Sequence, residues 1–510
     1  MKEIINILNW KPRLTSFVSG FLLSLSFAPT FFLPTLLSFA VLAFLIKGAD
    51  SYKEAFKIGY LFGFGFFLSG LYWISIGVSV YISEFWWAIP VALFILPAFL
   101  ALYSGFFGLS SFYFSKKHSY ILSFTALWIV FEIARSYLFT GFPWNLMGYS
   151  IAFSENLIQA ASIFGIYGLS FVVVFSSSIF LYLLESSYKQ FAIYCLITFS
   201  VWGGAIFFGK NAISSNNFLN TEIKLRLVQP SIPQSEKWSM SKFWENFQVH
   251  RDLSLTTKAS FTPDIIIWPE SAVVIQPTYL QVYNSLKAIT STSGAYLITG
   301  GITDNLANPN RSRDKLFASI YAISPSGELV FDYHKSHLVP FGEYIPYENI
   351  LPFKKLTPGL EAYSAGKPGF IVSLNSKKLK IRPLLCYEVI FPYEVRMSNK
   401  DADFILNLTN DAYYGSSSGP YQHFYMSRIR AVENGLPLVR VANNGITAIF
   451  DHNGIMRTYP TKLNSVESVD AYLPKKPDNE TIYSKYGESF IYAIIILFML
   501  IPFMPMKKPE

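Results

Sequence analysis

Two cysteines occur in 510 residues, and one of them, Cys386, closes the run of β-formers IRPLLC, with the carboxylate of Glu388 two residues further on. An ionised thiol is a strong nucleophile and forms thioesters readily. A free cysteine is more commonly a small buried hydrophobe. That reading suits Cys195, inside the apolar run FAIYCLITFSVW, better than Cys386, which Tyr387 and Glu388 follow at once. Two other reactive groups also follow apolar runs. Glu270 ends DIIIWPE; a carboxylate held against an apolar wall has a raised pKa, which suits a general base, and a solvated turn glutamate is the equal alternative. Lys335, in YHKSHLVPFGEYIP, can stabilise an oxyanion and favour a thiolate, although a lysine after a strand is usually a solvated surface charge. His337 and His423 offer a competing Cys–His pairing, ranked lower because Glu270 and Lys335 already supply a base and a cation. No CxxC or His-rich spacing suggests a metal.

Reactive groups at strand ends need a rigid sheet behind them. Strand candidates are EIKLRLVQ, DIIIWP, AYLITGG, LFASIYAIS, IRPLLC, DFILNLT and LPLVRVANNGITAIF; helix candidates are SKFWENFQVHRDLSLTTKA, TYLQVYNSLKAITSTS and PYQHFYMSRIRAVENG. The alternation argues for an α/β domain with helices covering its sheets. PSGELVFDYHK contains a hairpin turn at Ser326-Gly327.

The rest of the chain is far more apolar. Mean hydropathy is +0.33, hydrophobic residues make up 52% and charged residues 15%, against about 25% charged in an ordinary soluble domain. This composition points to a membrane protein with a water-facing part. Apolar segments near 14–29, 31–46, 55–75, 86–114, 120–139, 161–184, 191–208 and 488–506 give about eight spans at roughly 20 residues each. The net charge of +8 is not a nucleic-acid signature, because the basic residues flank these segments. With the N-terminus inside, eleven basic residues fall on the inner side (Lys2, Lys11, Arg13, Lys47, Lys53, Lys57, Lys116, Lys117, Lys189, Lys507, Lys508) and three outside (Arg135, Lys210, Lys485). That bias puts both termini in the cytoplasm and the polar stretch outside. The expected organisation is a transmembrane bundle over 1–211, a catalytic domain over 212–484, and a final span and tail over 485–510. No cleavable signal peptide is evident.

WPES, YHKSHLVPFGEYIP and LLCYEVIFP, in that order, resemble the Glu–Lys–Cys motifs of the nitrilase superfamily. Joined to a polytopic membrane part, with LVQPSIPQSEKW, LFTGFPWN, NLTNDAYYG, GPYQHFYMSRIRAVENG and VRVANNGITAIFDHNG in support, the chain resembles the apolipoprotein N-acyltransferase family of Gram-negative bacteria over essentially its whole length. The resemblance implies an α-β-β-α sandwich on the periplasmic side of the inner membrane. It implies Glu270 as general base, Lys335 as oxyanion cation and Cys386 as nucleophile. Glu343 matches a glutamate that positions the reacting groups, and Trp238, Tyr387 and Glu388 match positions tied to activity. It further implies a ping-pong reaction without a cofactor. An acyl chain passes from a phospholipid such as phosphatidylethanolamine through a cysteine thioester to the N-terminal amine of a diacylglyceryl-cysteine lipoprotein. Nothing in the sequence demands more than a monomer.

The aromatic loops 351–366 and 410–421 are candidates for gating the entrance, with Gly and Ser as hinges. A membrane-tethered amidase acting on a small soluble amide is the alternative enzyme, disfavoured because a tether needs one span. A scaffold with a vestigial domain should lack a triad residue, and all three are present.

Overall fold

The computed structural model describes residues 2–214, 219–256, 261–304, 315–346, 362–369, 371–396 and 401–504. The chain divides into two compact units, one of Met1–Ser75, Trp87–Ser215 and Lys485–Glu510, the other of Ile76–Trp86 and Asn216–Ser484.

The first unit is helical. Among the described residues, four helices are long and apolar enough to cross a membrane: Ala88–Phe114, Tyr120–Thr140, Leu157–Leu184 and Tyr188–Ser214. A fifth span results if the bent pair Tyr52–Gly70 and Trp73–Ser79 counts as one. The apolar helices Leu33–Lys47 and Ser489–Phe503 are shorter. Small residues let helix backbones approach closely in such bundles. A Cβ on Gly59 would stand 2.2 Å from the Ser104 carbonyl oxygen, so only glycine allows this helix contact. Arg135, counted above with the outside loop charges, is instead 4% exposed. Its Nη1 donates to the Phe142 and Trp144 carbonyls at 2.5 and 2.7 Å, which satisfies the irregular backbone of GFPWN in place of water.

The second unit contains two sheets. The strands are β1 (Asn220–Gln229), β2 (Ile265–Ile267), β3 (Tyr296–Asp304), β4 (Leu316–Ile323), β5 (Leu329–His334), β6 (Val372–Leu374), β7 (Leu379–Leu385), β8 (Phe404–Thr409), β9 (Leu438–Ala442), β10 (Ala448–Phe450) and β11 (Glu467–Pro474). Their orders are β11-β1-β2-β3-β4-β5 and β10-β9-β8-β7-β6. β1–β2–β3 and β7–β8–β9 run parallel, so the ends of β1 and β2 emerge on one edge, as do those of β7 and β8. Side chains alternate faces along a strand. Ile265 and Ile267 therefore join Leu227, Ile298, Leu385, Leu406 and Val439 in one apolar cluster made by both sheets. Ile266, on the opposite face, packs with Phe243, Phe247, Val282 and Leu286 from helices Phe243–Leu255 and Leu280–Ser293.

The run LPLVRVANNGITAIF, read above as one strand, is two. β9 and β10 pair antiparallel around Asn443–Thr447, because Asn-Asn-Gly favours a turn. A Cβ on Gly445 would lie 2.1 Å from the Asp411 carboxylate. The Ser326-Gly327 turn joins β4 to β5, with Gly327 at φ 91°.

Ile76–Trp86 packs within this second unit. Gln234 Nε2 donates to the Tyr81 hydroxyl at 3.2 Å, and a Cβ on Gly77 would stand 2.8 Å from the Tyr413 carbonyl oxygen. Residues 351–361 of the first proposed gating loop lie outside the described residues. In the second, Asp411–Tyr414 forms a turn ending at Gly415, φ 57°.

Candidate active site

Glu270, Lys335 and Cys386 each follow a strand, β2, β5 and β7 respectively, and all three are buried. Trp268 anchors the first connection, wholly buried with its indole N–H donating to Ser254 Oγ at 2.7 Å. Beyond it the chain turns sharply across β3. A Cβ on Gly300 would stand 2.6 Å from Glu270 Cα, so the glycines of LITGG are what let this turn lie against the strand.

Lys335 is clamped by its backbone: its N–H donates to the Ala318 carbonyl at 2.8 Å, and its carbonyl accepts from the Gly366 N–H at 2.7 Å. Its Nζ lies 2.8 Å from Glu343 Oε1 and 3.6 Å from Glu270 Oε1. The other oxygen of Glu343 accepts from the Val339 N–H at 2.7 Å. The ammonium is thus held by one carboxylate and offered to the other.

Cys386 starts a short 3-10 turn at φ 46°, a conformation uncommon for a residue with a side chain. Its Sγ is 3.2 Å from Thr409 Oγ1, at the end of the neighbouring β8. Glu388 holds this turn. Its Oε2 accepts from the Leu385 N–H at 2.7 Å. Its Oε1 accepts from the Tyr333 hydroxyl (2.7 Å), the Ser336 N–H and hydroxyl (both 2.8 Å) and the His337 N–H (3.2 Å). One carboxylate therefore grips the residue before the thiol and the residue after the ammonium. Tyr387 packs edge-on against Phe391 at 5.0 Å, and Trp238 meets the Tyr413 side chain.

The electrostatics follow from burial. Desolvation pushes the Glu270 carboxyl up, and Glu343 adds to this; Lys335, Lys237 and a hydrogen bond with the Cys386 thiol oppose it without cancelling it. Desolvation and then the Glu270 charge push the Cys386 thiol up to about 12, against the pull of Lys335. Desolvation pulls Lys335 down, but Glu343, Glu270 and Cys386 outweigh it and hold the ammonium above its ordinary value. Burial thus favours the neutral thiol over a preformed thiolate, beside a carboxyl group and an ammonium held in its charged form.

Neither histidine reaches the sulfur. The His423 ring lies 3.2 Å from the Cys386 carbonyl through Nε2 and 2.9 Å from Asp411 through Nδ1. His337 pairs with Glu394 at 2.7 Å and stacks on Phe391. Two neighbours were not singled out from sequence. Thr409, in NLTND, becomes visible only once β8 is known to lie beside β7. Lys237, in QSEKW, shows no local sign of burial in the sequence and is 4% exposed. Among the described residues no group of three or more His, Cys, Asp or Glu side chains could hold a metal ion.

Comparison with known proteins covers both units. Residues 19–179 match the family model of the apolipoprotein N-acyltransferase N-terminal domain, and residues 224–496 match that of carbon-nitrogen hydrolases. An apolipoprotein N-acyltransferase of Rickettsia bellii is 47% identical, over 98% of this chain and 99% of its own. One from Brucella melitensis is 34% identical, over 93% and 92%. Among solved structures, an amidase of the nitrilase superfamily from Nesterenkonia has a TM-score of 0.38 at 17% identity, covering 54% of this chain and 97% of its own.

Proposed function

We propose a residue-level route on the premise that this chain belongs to the apolipoprotein N-acyltransferase family and is an enzyme of lipoprotein N-acylation. Its substrates are phospholipid and lipoprotein. The observation that carries the route is the meeting of three buried strand-end groups: Glu270 lies 3.6 Å from the Lys335 ammonium, and the Cys386 thiol is near enough for its pKa to respond to both charges.

In the first half-reaction the Cys386 sulfur attacks an acyl ester of the donor as Glu270 takes the thiol proton. Burial favours the neutral thiol, so in this route the proton transfer accompanies C–S bond formation. The carbonyl oxygen becomes an oxyanion opposite the Lys335 ammonium. Collapse expels the lysophospholipid alkoxide, which takes the proton back from Glu270, and a thioester remains on Cys386. In the second half-reaction the lipoprotein α-amine, with a pKa of about 7.7–8.0, attacks the thioester in its neutral form. Glu270 takes the amine proton and returns it to the departing thiolate. A thioester suits this sequence because it reacts readily with amines and persists while a second bulky substrate arrives; the buried surroundings keep water from diverting it. Glu343 aims Lys335, Glu388 fixes the spacing of the two loops, and Trp238 and Tyr387 shape the apolar wall.

The proposal extends to organisation. The two sheets with their outer helices form an α-β-β-α sandwich over 212–484, on the periplasmic side of the inner membrane. Residues 1–211 and 485–510 supply about eight spans, with both termini cytoplasmic and the enzyme a monomer. Phosphatidylethanolamine is the preferred donor, and diacylglyceryl-cysteine is the acceptor. Support comes from the positive-inside bias, to which Arg135 no longer contributes on the outer side.

The test is incubation of the detergent-purified protein with phosphatidylethanolamine labelled in its sn-1 acyl chain, followed by neutral hydroxylamine. Labile label is expected on the wild type and none on Cys386→Ala. Label on both would place the nucleophile elsewhere. Label on neither, with hydrolysis of a soluble amide, would favour the amidase.

A further inference from the structure

Lys237 is a buried ammonium with no hydrogen-bond partner for its Nζ among the described residues. Buried ammonium groups are almost always paired, so an unpaired one is held in place for a reason other than fold stability. Its position supplies the reason. Lys237 ends the short helix Gln234–Lys237 that follows β1, and Glu270 follows β2. Leu227 pairs with Ile267 in the parallel register of these two strands, so both connections leave the same sheet edge. Gln234 accepts from Asn410 Nδ2 at 2.8 Å, which fixes this helix to the residue after Thr409, the neighbour of the Cys386 sulfur.

The charges at the reacting centre do not balance without it. Glu270 and Glu343 bring two carboxylates, and Lys335, committed to Glu343 at 2.8 Å, brings one ammonium. We propose that the Lys237 ammonium is the counter-charge that keeps the Glu270 carboxylate ionised, and therefore able to accept the Cys386 proton. This rests on the route proposed above and adds a positioning residue to it, one that acts through Glu270 and touches no substrate.

The electrostatics agree in sign. Burial, and then Glu343, drive Glu270 towards its neutral form, whereas Lys335 and Lys237 oppose this. Burial draws Lys237 itself down to about 7, with the charges of Glu270 and Cys386 resisting. Its cation is therefore present on the acidic side of neutrality, where the carboxylate most risks protonation. A further titratable neighbour among the described residues is His250, on helix Phe243–Leu255. Burial pulls it to about 3 despite its bond to the Asn246 carbonyl, and the Lys237 charge adds to the fall. His250 is thus neutral throughout the working range and does not compete.

The experiment is the pH profile of single-turnover acyl-enzyme formation, read as hydroxylamine-labile label, in the full-length wild type, Lys237→Met, Lys237→Arg and Cys386→Ala. The acidic limb reports ionisation of Glu270. Removing a nearby cation should move it to higher pH by about one pH unit, a roughly tenfold slower reaction below both limbs, with the alkaline plateau retained. Lys237→Arg should keep the wild-type limb. Lys237→Met is expected to fold, since it removes a charge without orphaning a partner; if it does not, Lys237→Gln carries the same test. A uniform loss at every pH, or equal displacement by Met and Arg, would overturn the inference. Label on Cys386→Ala would instead sink the route itself, so the two failures are distinguishable.

Discussion

Replacing Glu388 with Gln changes one oxygen to nitrogen and keeps the shape. Four donors converge on Oε1 and one on Oε2, so the amide can leave its oxygen facing the four and must turn its NH2 towards the Leu385 N–H. That donor is then unsatisfied in a site 2% exposed, at a cost of about 1–3 kcal/mol. The remaining bonds lose their charge assistance, about 1 kcal/mol each before allowing for their sharing one oxygen. A total of roughly 3–6 kcal/mol follows, undiminished by solvent. The energy falls on the joint between Ser336, beside Lys335, and Leu385, beside Cys386. A displacement of about 1 Å there is enough to slow acylation about 100-fold. Thermal unfolding and single-turnover labelling of Glu388→Gln, with Glu388→Asp as a charged but shorter comparison, measure both consequences. The Gln variant should unfold at lower temperature and acylate at least about 100-fold more slowly. A Gln variant with the wild-type unfolding midpoint and acylation rate would refute the reasoning.

Two other outcomes are expected. The single Thr409 hydroxyl proton has two acceptors, Cys386 Sγ at 3.2 Å and Asp411 Oδ1 at 3.1 Å, and it turns to sulfur as charge grows there. Thr409→Val should therefore slow acyl-enzyme formation by roughly 10- to 100-fold, the worth of one hydrogen bond to a charged group, with little change in unfolding temperature, and rapid-quench labelling reads it. Asp411, wholly buried, pairs with Arg440 at 2.7 Å. Desolvation raises its carboxyl, but Arg440 and His423 outweigh that and hold it below the ordinary value. Its folded pKa is depressed, so its contribution should be complete above the ordinary carboxylate value and fade as pH falls towards the depressed one. Asp411→Asn, which strands a buried guanidinium, should cost about 3–5 kcal/mol near neutrality and progressively less in acid, measured by denaturant titration at several pH values.

Glu270 and Cys386 were legible because each sits where an apolar run stops, IIIWP before Glu270 and IRPLL before Cys386, whereas Lys335 follows the more polar LVFDYH. A strand's end is a local property of the chain. What those residues touch is not. Glu388 draws four of its five donors from residues 333–337, more than 50 positions upstream by the separations of these bonds, and no window of sequence displays that convergence. β11 escaped notice because ESVDAYLP alternates weakly and gains its place only by pairing with β1, far away in the chain. His423 was named only as a lower-ranked partner for Cys386; sequence cannot say whether a ring meets a sulfur or, as here, a carbonyl. Arg135 was misjudged, and Lys237 passed over, because a basic residue in a polar or boundary stretch gives no local sign of burial, which depends on what packs over it later.

The inclusion of Ile76–Trp86 in the second unit bears on how the gene can be cut. A fragment beginning at Asn216 and ending at Ser484 would carry both sheets and every residue assigned a chemical role, yet it would lack Tyr81, the hydroxyl partner of Gln234. Gln234 in turn holds Asn410. Truncation would therefore disturb the strand ends beside Cys386 without removing a single reactive group. The two halves are interleaved in the reading frame, so swapping the hydrolase-like part between relatives has to carry this strap along, either within the same chimera or as a separate peptide.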